Sequence, residues 1–111
     1  MANVDQYRIY IQQLLEKYGN LPSSRNDIET QTIVDDQHDH YQLVQVGWRN
    51  NRRIYGCVLH IDIKNNQIWI QHDGTEIGMA NELVALGVPK EAIVLAFQAP
   101  YKRHYTEFAV G

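Results

Sequence analysis

The chain has a single cysteine, Cys57, so it forms no internal disulfide and no zinc cluster of several thiolates. Set in a predicted strand, Cys57 is expected to be a small buried residue rather than a nucleophile. No apolar run approaches the roughly 20 residues that a membrane-spanning helix needs. The N-terminus shows no signal-peptide pattern either, so a cytoplasmic protein is expected. An excess of positive charge is also missing. Lys and Arg number 10 against 13 Asp and Glu, a formal net charge of -3. That disfavours broad, sequence-independent nucleic-acid binding, which needs a basic surface, while leaving room for a local basic patch. Repeats, linkers and low-complexity stretches are absent. At 111 residues, the whole chain (1–111) reads as one domain. It is long enough to bury roughly two thirds of its unfolded surface.

What is present is organised around residues 54–75. Two alternating apolar runs flank Asn65-Asn66, and asparagine tolerates the positive φ of a tight hairpin turn. With those two residues as the loop, Lys64 pairs with Gln67, Ile63 with Ile68, and Asp62 with Trp69. Ile61 then pairs with Ile70, and His60 with Gln71. Side chains alternate across a strand, so Leu59, Ile61, Ile63, Ile68 and Ile70 form a core face. His60, Asp62, Trp69 and Gln71 form the opposite face, polar and aromatic. A slip of one residue would mix the two faces.

Residues 3–18 read as a helix with Val4, Tyr7, Ile11, Leu14, Leu15 and Tyr18 in one stripe. Asn3 or Asp5 serves its start and Gly19 its left-handed end. Residues 20–26 read as a loop containing Pro22. Residues 28–34 and 41–48 read as strands around the polar turn 35–40. Asn50-Asn51 is a second tight turn, flanked by Arg49, Arg52 and Arg53. Four consecutive strands with short connections make an antiparallel meander. A helix is expected over 74–86, with Asp73 as N-cap and Glu76 completing a capping box. Its buried stripe is Ile77, Met79, Ala80, Leu83, Val84 and Leu86, and Gly87-Val88-Pro89 stops it. Residues 89–91 suit one short turn. Residues 92–97 are an unbroken apolar run, expected to be an inner strand buried on both faces. A basic and aromatic segment, 99–105, follows, and 106–110 is expected to add a short last strand. The fold class is α+β: a largely antiparallel sheet of about five strands with two main helices.

Several groups of residues suit chemistry. His38-Asp39-His40 has the composition of a metal ligand set, but it reads as a solvated polar turn because no zinc spacing supplies further ligands. His60 and Asp62 are suited to be a general base and its orienting carboxylate. No nucleophile lies near them, since Ser23 and Ser24 belong to a distant loop. Asp62-Ile63-Lys64 fits the acidic-x-Lys element of metal-dependent nucleases, a match of three residues that chance often supplies. Asp73-Gly74-Thr75 opens a helix, where anions are attracted, but capping explains all three residues. Two basic clusters, Arg49/Arg52/Arg53 and Lys102/Arg103/His104, suit phosphates and equally suit solvated turns. Trp69 is the most informative residue. A large ring rimmed by polar groups marks a protein interface, unless the first helix covers it. The candidate partner-binding residues are therefore His60, Trp69, Gln71 and Arg103. No catalytic set, metal site or cofactor is assigned.

The segments Gly56-Cys57-Val58-Leu59-His60-Ile61-Asp62-Ile63-Lys64 and Ile68-Trp69-Ile70-Gln71-His72-Asp73-Gly74-Thr75 closely resemble the XisI family. So do Asn81-Glu82-Leu83-Val84 with Leu86-Gly87-Val88-Pro89, the helix 7–18, His40-Tyr41-Gln42 and Tyr105-Thr106-Glu107-Phe108-Ala109-Val110. The likeness covers nearly the whole chain, with its segments in the same order. That family is known as a controlling factor for excision of the fdxN element, a programmed DNA rearrangement in heterocyst-forming cyanobacteria. The recombinase is a separate protein, and a nuclease-like companion, XisH, works alongside. The resemblance implies an accessory, non-catalytic role with an XisH-like chain as partner, and it brings no active-site residues. The Trp69 face and an open sheet edge near the C-terminus further imply a homo-oligomer, a dimer by default. The alternative is a metal-dependent hydrolase or nuclease using His60, Asp62 and Asp73. A closed, metal-occupied cleft on the Trp69 face favours that enzyme, and a flat face favours the binder.

Overall fold

In a computed structural model that describes residues 3–20 and 27–111, helix α1 spans Val4–Gly19. Strands β1 (Ile28–Asp35), β2 (His40–Arg49), β3 (Arg52–Lys64) and β4 (Gln67–Asp73) follow. Helix α2 (Met79–Leu86) and strand β5 (Ile93–Leu95) complete the main elements. A 3-10 turn, Lys90–Ala92, precedes β5, and a 3-10 helix, Pro100–Tyr105, follows it. The sheet order is β1-β2-β3-β4-β5. The first four strands are antiparallel neighbours, and β5 lies parallel to β4. This is the expected α+β arrangement. The expected loop with Pro22, Ser23 and Ser24 lies outside the described residues.

Both Asn-Asn pairs adopt left-handed backbone, with φ of 50° and 66° at Asn50 and Asn51, and 54° and 62° at Asn65 and Asn66. Two successive positive φ values give the mirror-image turn whose twist matches that of the flanking strands. From Asn65-Asn66 the register runs as expected through Ile61 opposite Ile70. It then shifts, so that His60 faces His72 and Leu59 faces Asp73. Gln71 is the extra residue of a β-bulge, and the expected pairing of His60 with Gln71 is not formed. A second bulge interrupts β2 and β3, where Leu43 faces Leu59 while Val44 faces Cys57, leaving Val58 as the extra residue. Without it, a straight ladder from Asn50-Asn51 would set Tyr41 against His60 and His40 against Ile61. With it, Tyr41 faces Ile61 and His40 faces Asp62. The apolar face of both strands thereby stays in phase.

One face of the sheet carries both helices. Tyr7, Ile11, Leu14 and Leu15 of α1 pack with Tyr41, Leu43, Leu59, Ile61, Ile63, Ile68 and Ile70, and Met79, Ala80 and Leu83 of α2 join the same cluster. Each large aliphatic side chain removed from water there stabilises the fold by roughly 1.5–3 kcal/mol before entropy is counted. Tyr18 donates its hydroxyl to Glu82, and Lys17 Nζ lies 2.8 Å from the other carboxylate oxygen, which ties α1 to α2.

Several local expectations are corrected. Helix α2 begins at Met79, five residues later than the pattern predicts. The Asp73 carboxylate holds the intervening loop instead, accepting from the Thr75 backbone N–H at 2.9 Å and from the Met79 N–H at 2.7 Å. Asp73 thus caps the helix from six residues away, and Gly78, at φ 93°, cannot be helical. Glu76 completes no capping box, and Ile77 and Leu86 are exposed rather than buried. Gly19 closes α1 in helical rather than left-handed backbone, and what asks for glycine there is the close passage of β1. A Cβ at Gly19 would meet Thr32 Oγ1 at 2.8 Å. Strand β5 is a three-residue edge strand, not an inner one, yet Ile93 and Val94 are fully buried. The expected last strand is reduced to one bridge, Ala109 to Val94, on the outer side of β5. Cys57 is exposed, since it lies on β3 beyond the end of β4.

Candidate functional site

The sheet face opposite the helices holds a compact polar cluster. His40 and Asp62 are directly opposed on β2 and β3, and His60 lies two residues before Asp62 on the same side of β3. His40 Nδ1 is 2.9 Å and His60 Nε2 is 3.0 Å from the same oxygen, Asp62 Oδ1. Two neighbours complete the group. Gln71 Nε2 donates to Asp62 Oδ2 at 3.2 Å, and the Gln42 carboxamide lies 3.4 Å from His60 Nδ1. The hydrogen bond to Asp62 and the carboxylate charge raise the pKa of His40 above the ordinary imidazole value. One donor atom each from His40, His60 and Asp62 lie within 4.8 Å of one another, a spacing that suits a metal ion. Three of the residues singled out from the sequence, His60, Asp62 and Gln71, are brought together as expected. His40 was weighed only beside His38, and its meeting with Asp62 was missed because it depends on the bulge at Val58. The signal lay in the apolar phase of β2 and β3, which demands one extra residue.

Trp69 is half-buried, and its cover is not the first helix. Its indole N–H donates to the Lys64 carbonyl at 3.1 Å. Lys64 Nζ lies 4.5 Å from the ring centre, and the Arg103 guanidinium carbon 5.5 Å. The chain end closes over it, so that a Cβ on Gly111 would come within 2.7 Å of the ring. Arg103 in turn donates to the carbonyls of Gln98 and Ala96 at 3.1 and 3.2 Å. Trp69 and Arg103 therefore fasten the C-terminal segment to the sheet.

Of the residues of the enzymatic alternative, His60 and Asp62 meet but Asp73 does not join them. Asp73 pairs with Leu59 and spends its carboxylate on Thr75 and Met79, away from His60 and Asp62. His38 and Asp39 also separate from His40. His38 Nδ1 binds Asp35 at 2.9 Å, while Asp39 binds Arg8. One groove, of about 330 Å³, lies between Gln13, Leu14 and Lys17 of α1 and Glu82 of α2, and another, of about 410 Å³, lies by Tyr7, Asn66 and Pro89. Both are away from the histidines.

A feature that sequence reasoning passed over is the far end of the β2–β3 hairpin. Strand β4 pairs with β3 only over Leu59–Lys64, so among the described residues no strand covers that edge of β3 at 52–57. Trp48 and Tyr55 project there, 54% and 74% exposed, with the Arg53 guanidinium 5.5 Å from the Trp48 ring centre. Residues 40–61 contain no carboxylate and carry Arg49, Arg52 and Arg53, a basic stretch in an acidic chain.

A family model described as XisI protein matches residues 1–110. A crystal structure of a XisI-like protein from Anabaena variabilis ATCC 29413 is 45% identical, covering 98% of this chain and 100% of that one, with a TM-score of 0.93. A second, of the fdxN element excision controlling factor XisI from the same organism, is 36% identical, covering 95% of this chain and 96% of that one, with a TM-score of 0.83. No curated protein matches the chain.

Proposed function

The chain belongs to the XisI family, and on that premise we propose that it is an accessory controlling factor in programmed excision of an fdxN-type DNA element, acting through contacts with other proteins. One observation carries the protein-contact reading: the uncovered edge of β3 beside Trp48 and Tyr55. An open strand edge offers backbone donors and acceptors to another chain. Tyr, Trp and Arg are the residue types that dominate binding energy at protein interfaces. The partner is a second copy of the chain, an XisH-like companion, or each in turn. Strand cleavage and rejoining belong to a separate recombinase. Asp73, committed to the helix start and away from His60 and Asp62, supports a non-catalytic role.

Light scattering at micromolar concentration and co-purification with the XisH-like chain of the same genome test this reading. A dimer or a captured companion is expected, and the double substitution Trp48→Ala/Tyr55→Ala weakens whichever forms, at unchanged urea midpoint. A monomer that captures no companion overturns the proposal.

A further inference from the structure

We propose that His40, His60 and Asp62 form a binding site for a divalent transition-metal ion of the zinc, cobalt or nickel class. The proposal rests on the sheet geometry and stands apart from the partner reading above. The three residues are placed by paired backbone rather than by loops. His40 and Asp62 are cross-strand partners, and His60 and Asp62 are neighbours on one side of the same strand. Their donor atoms converge on one spot, two imidazole nitrogens on a single carboxylate oxygen at 2.9 and 3.0 Å. Zinc bonds nitrogen and oxygen ligands at about 2.0–2.2 Å, which puts the ligands of a tetrahedral ion about 3.3–3.5 Å apart. The two nitrogen–oxygen pairs therefore have to open by only a few tenths of an ångström, with the ion replacing the proton on each ligating nitrogen, released to solvent or moved to the other ring nitrogen.

The chemistry of the set chooses the ion. Two imidazoles with one carboxylate suit borderline transition metals, whereas magnesium and calcium call for oxygen ligands throughout. Among the described residues no lysine or arginine pairs with Asp62; its ion-pair partners are the two histidines that would share the cation. The atoms that would not touch the metal are themselves held. Gln71 holds Asp62 Oδ2, and the Gln42 carboxamide nitrogen lies 3.4 Å from His60 Nδ1; metal binding turns this amide over, so that its oxygen accepts from Nδ1–H and the Nε2 lone pair meets the ion. Outer partners of this kind fix ring orientation and tautomer at metal sites. The His40 side chain is 59% exposed, so the remaining coordination position opens to water. In sequence the obvious pair was His38 and His40, but the fold separates them and joins His40 to residues 20 and 22 positions further on.

The full-length protein, freed of metal with a chelator, is titrated with zinc chloride against a chromophoric competitor, and with cobalt(II) for its visible spectrum. One ion per chain is expected, with a tetrahedral or five-coordinate cobalt spectrum and no displacement by millimolar magnesium. His40→Ala, at a side chain that is 59% exposed, weakens zinc binding at least tenfold, and so does Asp62→Asn. Gln71→Ala, acting only through Asp62, weakens it by about ten- to a hundredfold. His38→Ala leaves affinity unchanged. The proposal is overturned by absence of uptake, by uptake that survives His40→Ala, or by an equal loss in His38→Ala. If Asp62→Asn fails to fold, the contrast between His40→Ala and His38→Ala decides.

Discussion

Arg8 of α1 grips both carboxylate oxygens of Asp39 in the β1–β2 turn, Nε on Oδ1 at 2.7 Å and Nη2 on Oδ2 at 3.0 Å. The buried Tyr41 hydroxyl donates to Oδ1 as well, at 3.1 Å. Burial and this carboxylate push the Tyr41 pKa up to about 12, so it stays a donor across the working range. Asp39 itself has φ 59°, a left-handed turn conformation that Asp tolerates better than most residues.

The Arg8 hydrogen bonds, followed by that of Tyr41, hold the Asp39 carboxyl below its ordinary 3.8. A depressed carboxyl pKa gives stability that is fully present above the unfolded value and lost as pH falls through the folded one. The wild-type chain is thus expected to lose part of its stability below about pH 4 through this group. Urea unfolding in steps between pH 2 and pH 7 checks it. Asp39→Asn lowers stability at neutral pH and flattens the acid limb, and an unchanged limb in that variant would refute the assignment.

Ile61 is fully buried, opposite Tyr41 on one side and Ile70 on the other. Ile61→Ala is expected to cost about 2–5 kcal/mol, from the lost transfer energy and the cavity left behind. Ile33, 46% exposed on β1, serves as control, and its change to Ala should stay within about 0.5 kcal/mol. Chemical denaturation of the two variants separates them.

The second asparagine of the β3–β4 turn, Asn66, sits at φ 62°. Asn66→Gly is expected to be tolerated, because glycine enters that region freely. Asn66→Val is expected to cost about 1–2 kcal/mol, the penalty of a side chain in left-handed backbone. Paired melting curves give the difference.

Trp69→Ala is expected to release the C-terminal segment, since the ring sits between Lys64, Arg103 and the chain end. Amide exchange should rise at Thr106 and Ala109, whose backbone N–H groups bond Arg103 and Ile93. Exchange in β2 and β3 around Tyr41 and Ile61 should change far less. Uniform acceleration throughout the sheet would show instead that Trp69 supports the whole fold.

The amphipathic stripe of α1, both Asn-Asn turns and the alternating faces of β3 and β4 were legible in the sequence, because each is a local pattern of 2.0 or 3.6 residues. The start of α2 was not. Helix propensity and capping residues are present from Asp73 onward, but the Asp73 carboxylate reaches Met79 across a loop, a contact six residues long that local pattern does not encode. Strand β5 misled for a different reason. An apolar run is buried either by strands on both sides or by a covering tail, and here a single neighbour and the bridge to Ala109 suffice.

Residue types and their periodicity determined by themselves which side chains enter the core, where the hairpins turn and which family the chain resembles. Tertiary structure alone decided which polar residues meet. The bulges at Val58 and Gln71 each insert one residue; the first puts His40 opposite Asp62 and the second puts His60 opposite His72. A bulge relieves a mismatch between the twist and the apolar phase of two paired strands. The apolar phase of each strand is written in the sequence, but which residue is left over is settled only when the paired strands pack against the helices.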